Sequence, residues 1–199
     1  MTMSPEERIA DSLTRADFVQ IPDYLSPLEI EALVSDFEAA RARGDFSRAG
    51  VGRGETREIR DDVRRDEILW LEPRALTPAQ KHLWERLENL KNEINARLFL
   101  GLWSLEGHYA QYPPGGFYER HVDRFRDDDK RTISVVLYLN EAWQEGDGGE
   151  LEIFAEADST LVEPRAGTLV CFTSATVEHA VRPSKKDRRS FAGWFRRRS

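Results

Sequence analysis

The second half of the chain is a succession of short apolar stretches cut by turn residues, and few architectures accept that pattern. His108–Tyr112 alternates, Thr132–Leu139 is β-branched and apolar, and Glu150–Phe154, Thr160–Val162, Thr168–Phe172, the stretch through His179, and Ser190–Phe195 follow. Turn chemistry such as Gly146-Asp147-Gly148-Gly149 separates them. From Glu106 onward this predicts roughly eight strands with no helix between them. The expected fold is mainly β with a helical shell: a double-stranded β-helix, or jelly roll, of two packed sheets around a cavity.

The helices belong to the front of the chain. Ser4-Pro5-Glu6-Glu7, Ser26-Pro27-Leu28-Glu29 and Thr77-Pro78-Ala79-Gln80 each read as a capping box with proline at the first helical position. The second opens a helix with Leu28, Ile30, Leu33, Val34 and Phe37 as its apolar positions and Gly44 as its stop. The third opens a longer one with Leu83, Trp84, Leu87, Leu90, Ile94 and Leu98 at helical spacing, and His82 as an ordinary residue. Phe18–Pro22 reads as a strand. Apolar helix stripes need a surface, and the outside of a sheet is the natural one. We therefore expect one domain over 1–199, with 1–104 as a helical N-terminal support that also carries strands and 105–199 as the jelly-roll catalytic core. Arg41–Arg64, rich in glycine, arginine and acids, is expected to be a loop and a candidate lid. Its Gly50-Val51-Gly52-Arg53-Gly54 lacks the Gly-Lys-Ser/Thr of a phosphate loop.

Composition narrows the functional classes. The net charge of −7 argues against a general nucleic-acid binder. No apolar run approaches the roughly 20 residues of a membrane span, and Met1–Arg8 lacks a signal-peptide core. The single cysteine, Cys171, sits among Leu169, Val170 and Phe172, as a core thiol in a reducing compartment would. The expectation is a cytoplasmic protein. The basic stretch Arg182–Arg198 reads as solvated strand ends plus one internal arginine, or as a rim for an acidic substrate.

Tyr118-Glu119-Arg120-His121-Val122-Asp123 places a histidine and a carboxylate two residues apart, on one face of an extended strand. With His179 they make two imidazoles and one carboxylate, the facial triad of non-haem Fe(II) oxygenases. A strand carried back from Ser190 to Arg188 puts Arg188, Ser190, Ala192 and Trp194 on one face. Arg189, Phe191, Gly193 and Phe195 fall on the other. The phenylalanines suit the helical shell, which turns Arg188 inward and Arg189 towards solvent.

These residues resemble the prolyl-hydroxylase-like branch of the Fe(II)/2-oxoglutarate dioxygenases, including the hypoxia-sensing prolyl hydroxylases and their bacterial relatives. The resemblance runs from Arg65 to Arg196. It is carried by Arg65-Asp66-Glu67-Ile68-Leu69-Trp70, Tyr112-Pro113-Pro114-Gly115, His121 with Asp123, and Tyr138-Leu139-Asn140. Gly148-Gly149-Glu150-Leu151, His179, and Arg188 with Trp194 complete it. It implies Fe(II) on His121, Asp123 and His179, with 2-oxoglutarate and molecular oxygen as cosubstrates and ascorbate as a possible addition. It implies that Arg188 binds the far carboxylate of 2-oxoglutarate, that Tyr138 shares it, that Tyr112 lines the pocket and that Trp194 shields the metal chamber. Tyr118 is open between pocket and elsewhere. Gly148-Gly149 serves backbone geometry, and Arg124–Lys130 is a charged loop at the rim.

The implied reaction is hydroxylation of a prolyl residue in a protein or peptide, releasing succinate and carbon dioxide. The motif Arg65–Trp70 points to the hypoxia-sensor subgroup. Two alternatives stand beside it: hydroxylation of a free amino acid or small metabolite, and an oxygen- or iron-sensing regulatory protein that binds a partner. Nucleic-acid demethylation is disfavoured by the acidic charge and the absence of that branch's second arginine after Arg188. Oligomeric state is not legible.

Overall fold

The computed structural model describes residues 3–52, 58–125, 128–155 and 158–198. Its helices are α1 (Pro5–Leu13), α2 (Pro27–Ala42) and α3 (Pro78–Leu98). Its strands are β1 (Phe18–Ile21), β2 (Ser47–Arg48), β3 (Glu67–Trp70), β4 (Leu102–Tyr112), β5 (Tyr118–His121), β6 (Arg131–Tyr138), β7 (Leu151–Phe154), β8 (Ser159–Val162), β9 (Leu169–Thr173), β10 (His179–Val181) and β11 (Arg188–Arg197). They form a seven-stranded sheet, β1-β9-β6-β11-β4-β3-β2, and a four-stranded sheet, β5-β10-β7-β8. The fold is the jelly roll that the strand pattern predicts. Among the described residues no helix is long and apolar enough to cross a membrane.

All three capping boxes form, each with the side-chain and backbone bonds made in both directions. Ile30, Leu33, Phe37 and Ala40 of α2 and Leu83, Leu87, Leu90 and Ile94 of α3 are buried. Leu28, expected in the α2 stripe, is 77% exposed. It lies about 200° round the helix from Ile30, at 100° per residue, and so faces away from the sheet. Gly44 takes φ +75° just past the helix end, as the expected stop.

Alternation divides the large sheet's side chains between two cores. Ile133, Val135, Leu137, Leu169, Phe191 and Phe195 pack outward against α1, α2 and α3. Tyr138, Val170 and Phe172 face inward towards Leu151, Ile153 and Val181 of the small sheet. Each fully buried side chain of this kind contributes roughly 1.5–3 kcal/mol. Cys171 is buried in the outer core.

Two features differ from the expectation. First, β4 starts at Leu102 and runs eleven residues. Gly107 interrupts its apolar pattern for a packing reason: it pairs with Gly193, and a Cβ on either would stand 2.4 or 2.8 Å from the Phe191 ring. Second, the expected front strands do not form a separate unit: β1, β2 and β3 all join the seven-stranded sheet. Within the expected Arg41–Arg64 loop, β2 pairs with β3, and Val51 and Glu58 exchange backbone hydrogen bonds at 2.8 and 2.9 Å. Its central part, 53–57, lies outside the described residues, and the lid expectation with it.

Candidate metal and cosubstrate site

β5 and β10 are neighbours in the small sheet, and their register sets His121 opposite His179. Each imidazole turns Nδ1 to a backbone carbonyl two residues earlier, Glu119 O at 2.7 Å and Val177 O at 3.1 Å. A proton on Nδ1 donates there and leaves Nε2 as a lone-pair donor to a metal. Both Nε2 atoms face Asp123: His121 lies 3.6 Å from Oδ1 and His179 3.7 Å from Oδ2. The three ligand atoms fall within 4.8 Å of one another.

Asp123 reaches this position by a route other than the expected one. β5 ends at His121, so strand alternation does not pair the two residues. The carboxylate comes in from the bend beyond the strand, where Ser134 Oγ donates to its Oδ2 at 2.7 Å. Burial works to raise the Asp123 pKa, but the two imidazoles and Ser134 outweigh it and hold the group well below the carboxylate range. Burial lowers His179 to about 4 against the opposing pull of Asp123. An ionised carboxylate beside a neutral imidazole is the protonation state a divalent first-row metal requires.

Arg188 is 1% exposed. Its Nε donates to Gly149 O at 2.7 Å and its Nη1 to Ser190 Oγ at 3.3 Å. No carboxylate of the described residues pairs with it, and a buried guanidinium with neutral partners alone is a site for an anion. Its guanidinium carbon lies 5.1 Å from the Tyr138 ring centre and 5.0 Å from that of Tyr112. The Tyr138 hydroxyl is buried without a hydrogen-bond partner among the described residues. Burial pushes Tyr138 up to about 12 although Arg188 pulls the other way. It raises Tyr112 as well, so both phenols keep their protons and can donate. An unpaired guanidinium beside an orphaned hydroxyl fits the end carboxylate of a small dicarboxylate.

The neighbours of Arg188 explain its aim. Gly149 takes φ +71°, and a Cβ there would lie 3.1 Å from Arg188 Cδ. Asn140 accepts from Arg189 N at 2.7 Å and donates to Arg189 O at 3.0 Å, pinning the start of β11. Arg189 points outward, to Glu38 of α2 at 3.0 Å.

Register arranges the inner wall in rows. Along β4, β11 and β6 these are Tyr112 with Arg188; Ala110, Ser190 and Tyr138; His108, Ala192 and Val136; then Glu106, Trp194 and Ser134. The cavity they face, about 440 Å³, is lined by His121, Asp123, His179, Arg188, Tyr112, Tyr118 and Trp194 together. Tyr138 is packed against Arg188 and does not itself line the cavity. Trp194 carries the Arg131 guanidinium over its ring at 3.5 Å, and its indole Nε1 has no partner among the described residues. Arg131 is held in turn by Glu106 Oε1 at 2.8 Å.

The sequence marks none of Arg64, Trp70, His108, Arg131 or Ser134 as individual site residues, although Trp70 ends the Arg65–Trp70 motif and Arg64 the Arg41–Arg64 stretch; all five line the cavity or contact its residues. His108 was within reach, since it shares the alternating face of β4 with Tyr112. Its Nδ1 bonds to Tyr109 O at 3.2 Å, and Trp70 stands edge-on to its ring at 4.9 Å. Arg64 and Ser134 gave no local signal.

The profile of the 2OG-Fe(II) oxygenase superfamily matches residues 107–196, the span holding the triad, Tyr138, Arg188 and Trp194. A PKHD-type hydroxylase of Parvibaculum lavamentivorans is 32% identical over 88 residues. That segment covers 44% of this chain and 40% of the relative's length. The crystal structure of a Pseudomonas putida prolyl-4-hydroxylase superposes with a TM-score of 0.89 at 40% identity, covering 98% of this chain and 100% of that one. A Trichoplax adhaerens prolyl hydroxylase, in complex with a hypoxia inducible factor peptide fragment, shares the fold. Its TM-score is 0.85 at 24% identity, over 96% of this chain and 90% of that one. With His121, Asp123 and His179 gathered at one cavity and a buried arginine with neutral partners in its wall, the chain belongs to the 2OG-Fe(II) oxygenase superfamily and is a dioxygenase similar to the prolyl-4-hydroxylases.

Proposed function

We propose that the protein hydroxylates a prolyl residue in a protein or peptide, in the cytoplasm, consuming 2-oxoglutarate and oxygen and releasing succinate and carbon dioxide. The observation that carries this is the unpaired Arg188 in the wall of the same cavity that gathers His121, Asp123 and His179. The similarity to the Pseudomonas putida prolyl-4-hydroxylase over nearly the whole chain supports the substrate class. When bound, Fe(II) would activate molecular oxygen, with 2-oxoglutarate supplying two electrons as it goes to succinate and carbon dioxide and the substrate C–H bond the other two; ascorbate would be an accessory reductant.

The chain's own residues bind, orient and shield. His121, Asp123 and His179 would hold the Fe(II) through their clustered ligand atoms. Arg188 takes the far carboxylate of 2-oxoglutarate, with the Tyr138 hydroxyl as second donor and Tyr112 alongside. Trp70 and Trp194, with Arg131 stacked on the latter, give an apolar wall with one cation for the substrate. His108 stays neutral, since burial lowers its pKa to about 3, and its Nε2 can accept a hydrogen bond from the substrate.

The test is capture. The protein loaded with a redox-inert metal and a 2-oxoglutarate analogue is used to trap partners from a lysate of its source. Trapped proteins are then exposed to active enzyme and mapped by mass spectrometry. A one-oxygen gain on a proline, dependent on 2-oxoglutarate, is the expected result. Turnover of free amino acids with no such gain would reassign the substrate to small molecules.

A further inference from the structure

Of the three metal ligands, Asp123 alone lies outside a strand: His121 ends β5 and His179 opens β10, while Asp123 sits in the bend beyond. Something else must hold its carboxylate, and two buried serines are in place to do so. Ser134, on β6, is 1% exposed, and Ser174, just after β9, is 0%. Ser134 Oγ lies 2.7 Å from Asp123 Oδ2 and 2.8 Å from Ser174 Oγ.

The direction of both bonds follows from proton counting. An ionised carboxylate only accepts, so the single hydroxyl proton of Ser134 goes to Asp123. Ser134 Oγ can then only accept from Ser174, whose hydroxyl is the donor. The bond to Asp123 is charge-assisted and strengthened by burial. Ser174 also holds the backbone. Its N–H donates to Thr132 O and its carbonyl accepts from Arg124 N, both at 3.0 Å. Arg124 directly follows the ligand, so one residue ties down both the peptide beyond Asp123 and, through Ser134, the carboxylate itself.

The placement is hard to explain by packing. Ser134 occupies an inward position of β6 whose inward neighbours along the strand are Val136 and Tyr138, next to Trp194 on β11. A buried hydroxyl in such a row is unfavourable unless bonded, and here the bond falls on a metal ligand.

We propose that Ser174 and Ser134 form a relay that fixes the rotation of the Asp123 carboxylate, making Ser134 a positioning residue for the metal. The inference rests on the triad being the metal site.

The experiment uses Co(II) as the probe, added to the metal-free full chain and followed by its visible absorption. Ser134→Ala should weaken Co(II) binding about 10–100-fold and change the shape of the Co(II) spectrum, as loss of an outer-shell partner does. Ser174→Ala should give a smaller loss of the same kind, because Ser134 keeps its bond to Asp123. Ser134→Thr keeps the hydroxyl and should restore both affinity and spectrum. Circular dichroism and thermal unfolding of the metal-free variants separate these effects from misfolding. Should Ser134→Ala fail to fold, Ser174→Ala and Ser134→Thr still decide the matter. Folded Ser134→Ala and Ser174→Ala variants with unchanged affinity and spectrum would overturn the relay while leaving the triad intact. A Ser134→Thr variant as weak as Ser134→Ala would overturn it too. Failure of the parent protein to bind Co(II) would remove the triad reading, and the relay with it.

Discussion

Tyr118 lies flat against His121, with ring centroids 3.6 Å apart and planes 19° from parallel. The guanidinium carbon of Arg64 stands over the Tyr118 ring, 4.2 Å from its centre. Asp66 clamps Arg64 in a fork, Nε to Oδ1 at 2.7 Å and Nη2 to Oδ2 at 2.5 Å. β5 is an edge strand of four residues. On its open side the Val63–Arg65 segment bonds to it, Val63 O accepting from Glu119 N and Phe117 O from Arg65 N, each at 2.9 Å. The stack therefore braces His121 where the sheet itself ends.

Asp66→Ala should destabilise the metal-free protein by about 3–5 kcal/mol, because it leaves the Arg64 charge enclosed without its partner. Burial opposes the charge on Arg64, and the hydrogen bonds it donates to Asp66, with the attraction of that carboxylate, more than offset it. Urea unfolding measures the loss. A change no larger than that of an exposed surface pair would mean that Arg64 finds water instead.

His121→Ala, Asp123→Ala and His179→Ala should each abolish 2-oxoglutarate-dependent succinate formation and high-affinity metal binding while the fold persists. Neither the outer core behind the large sheet nor the apolar cluster between the sheets is built from these three side chains. Metal titration with circular dichroism checks both halves of the statement. Undiminished tight binding in all three variants would dismiss the triad.

Arg188→Ala and Arg189→Ala should differ sharply. Removing one partner of a buried charged pair costs roughly 3–5 kcal/mol, so Arg188→Ala should weaken 2-oxoglutarate binding some hundreds- to thousands-fold. Arg189→Ala removes only an outward pair with Glu38 and should leave 2-oxoglutarate binding nearly unchanged. Titration of the Co(II)-loaded protein with 2-oxoglutarate reads both. Equal effects would place the cosubstrate elsewhere.

His108 makes a pH prediction. Burial lowers its pKa in the folded protein to about 3, well below the unperturbed value near 6.5. As pH falls the unfolded chain takes up that proton first. The contribution of neutral His108 is therefore complete above about pH 6.5 and is lost progressively towards pH 3. His108→Met cannot protonate and should flatten the fall in thermal midpoint between about pH 6.5 and 4. Matching slopes for parent and variant would show that His108 reaches water in the folded state.

Several features were determined by the sequence alone. The three capping boxes form as written, because each is closed by hydrogen bonds within four residues. The division of β11 into an inward face of Arg188, Ser190, Ala192 and Trp194 and an outward face bearing Phe191 and Phe195 follows from a period of two and needs no knowledge of neighbours. The three residues that meet at the cavity were legible for a different reason: few residue types bind a metal, and the order His-x-Asp then His is itself information.

How those residues are held was decided by the tertiary structure. Asp123 converges with His121 from beyond the strand end, and not by the expected alternation along one strand. Its support spans 40 positions between Ser134 and Ser174, and the brace on His121 comes from Arg64 on a separate segment. β4 extends through Gly107 only because Gly193 and the Phe191 ring require an empty Cβ position there. Leu28 points to solvent although its residue type favours the core. Local periodicity encodes which side of an element a residue occupies. Contacts between distant segments depend on sheet order and register, which exist only once the strands have paired.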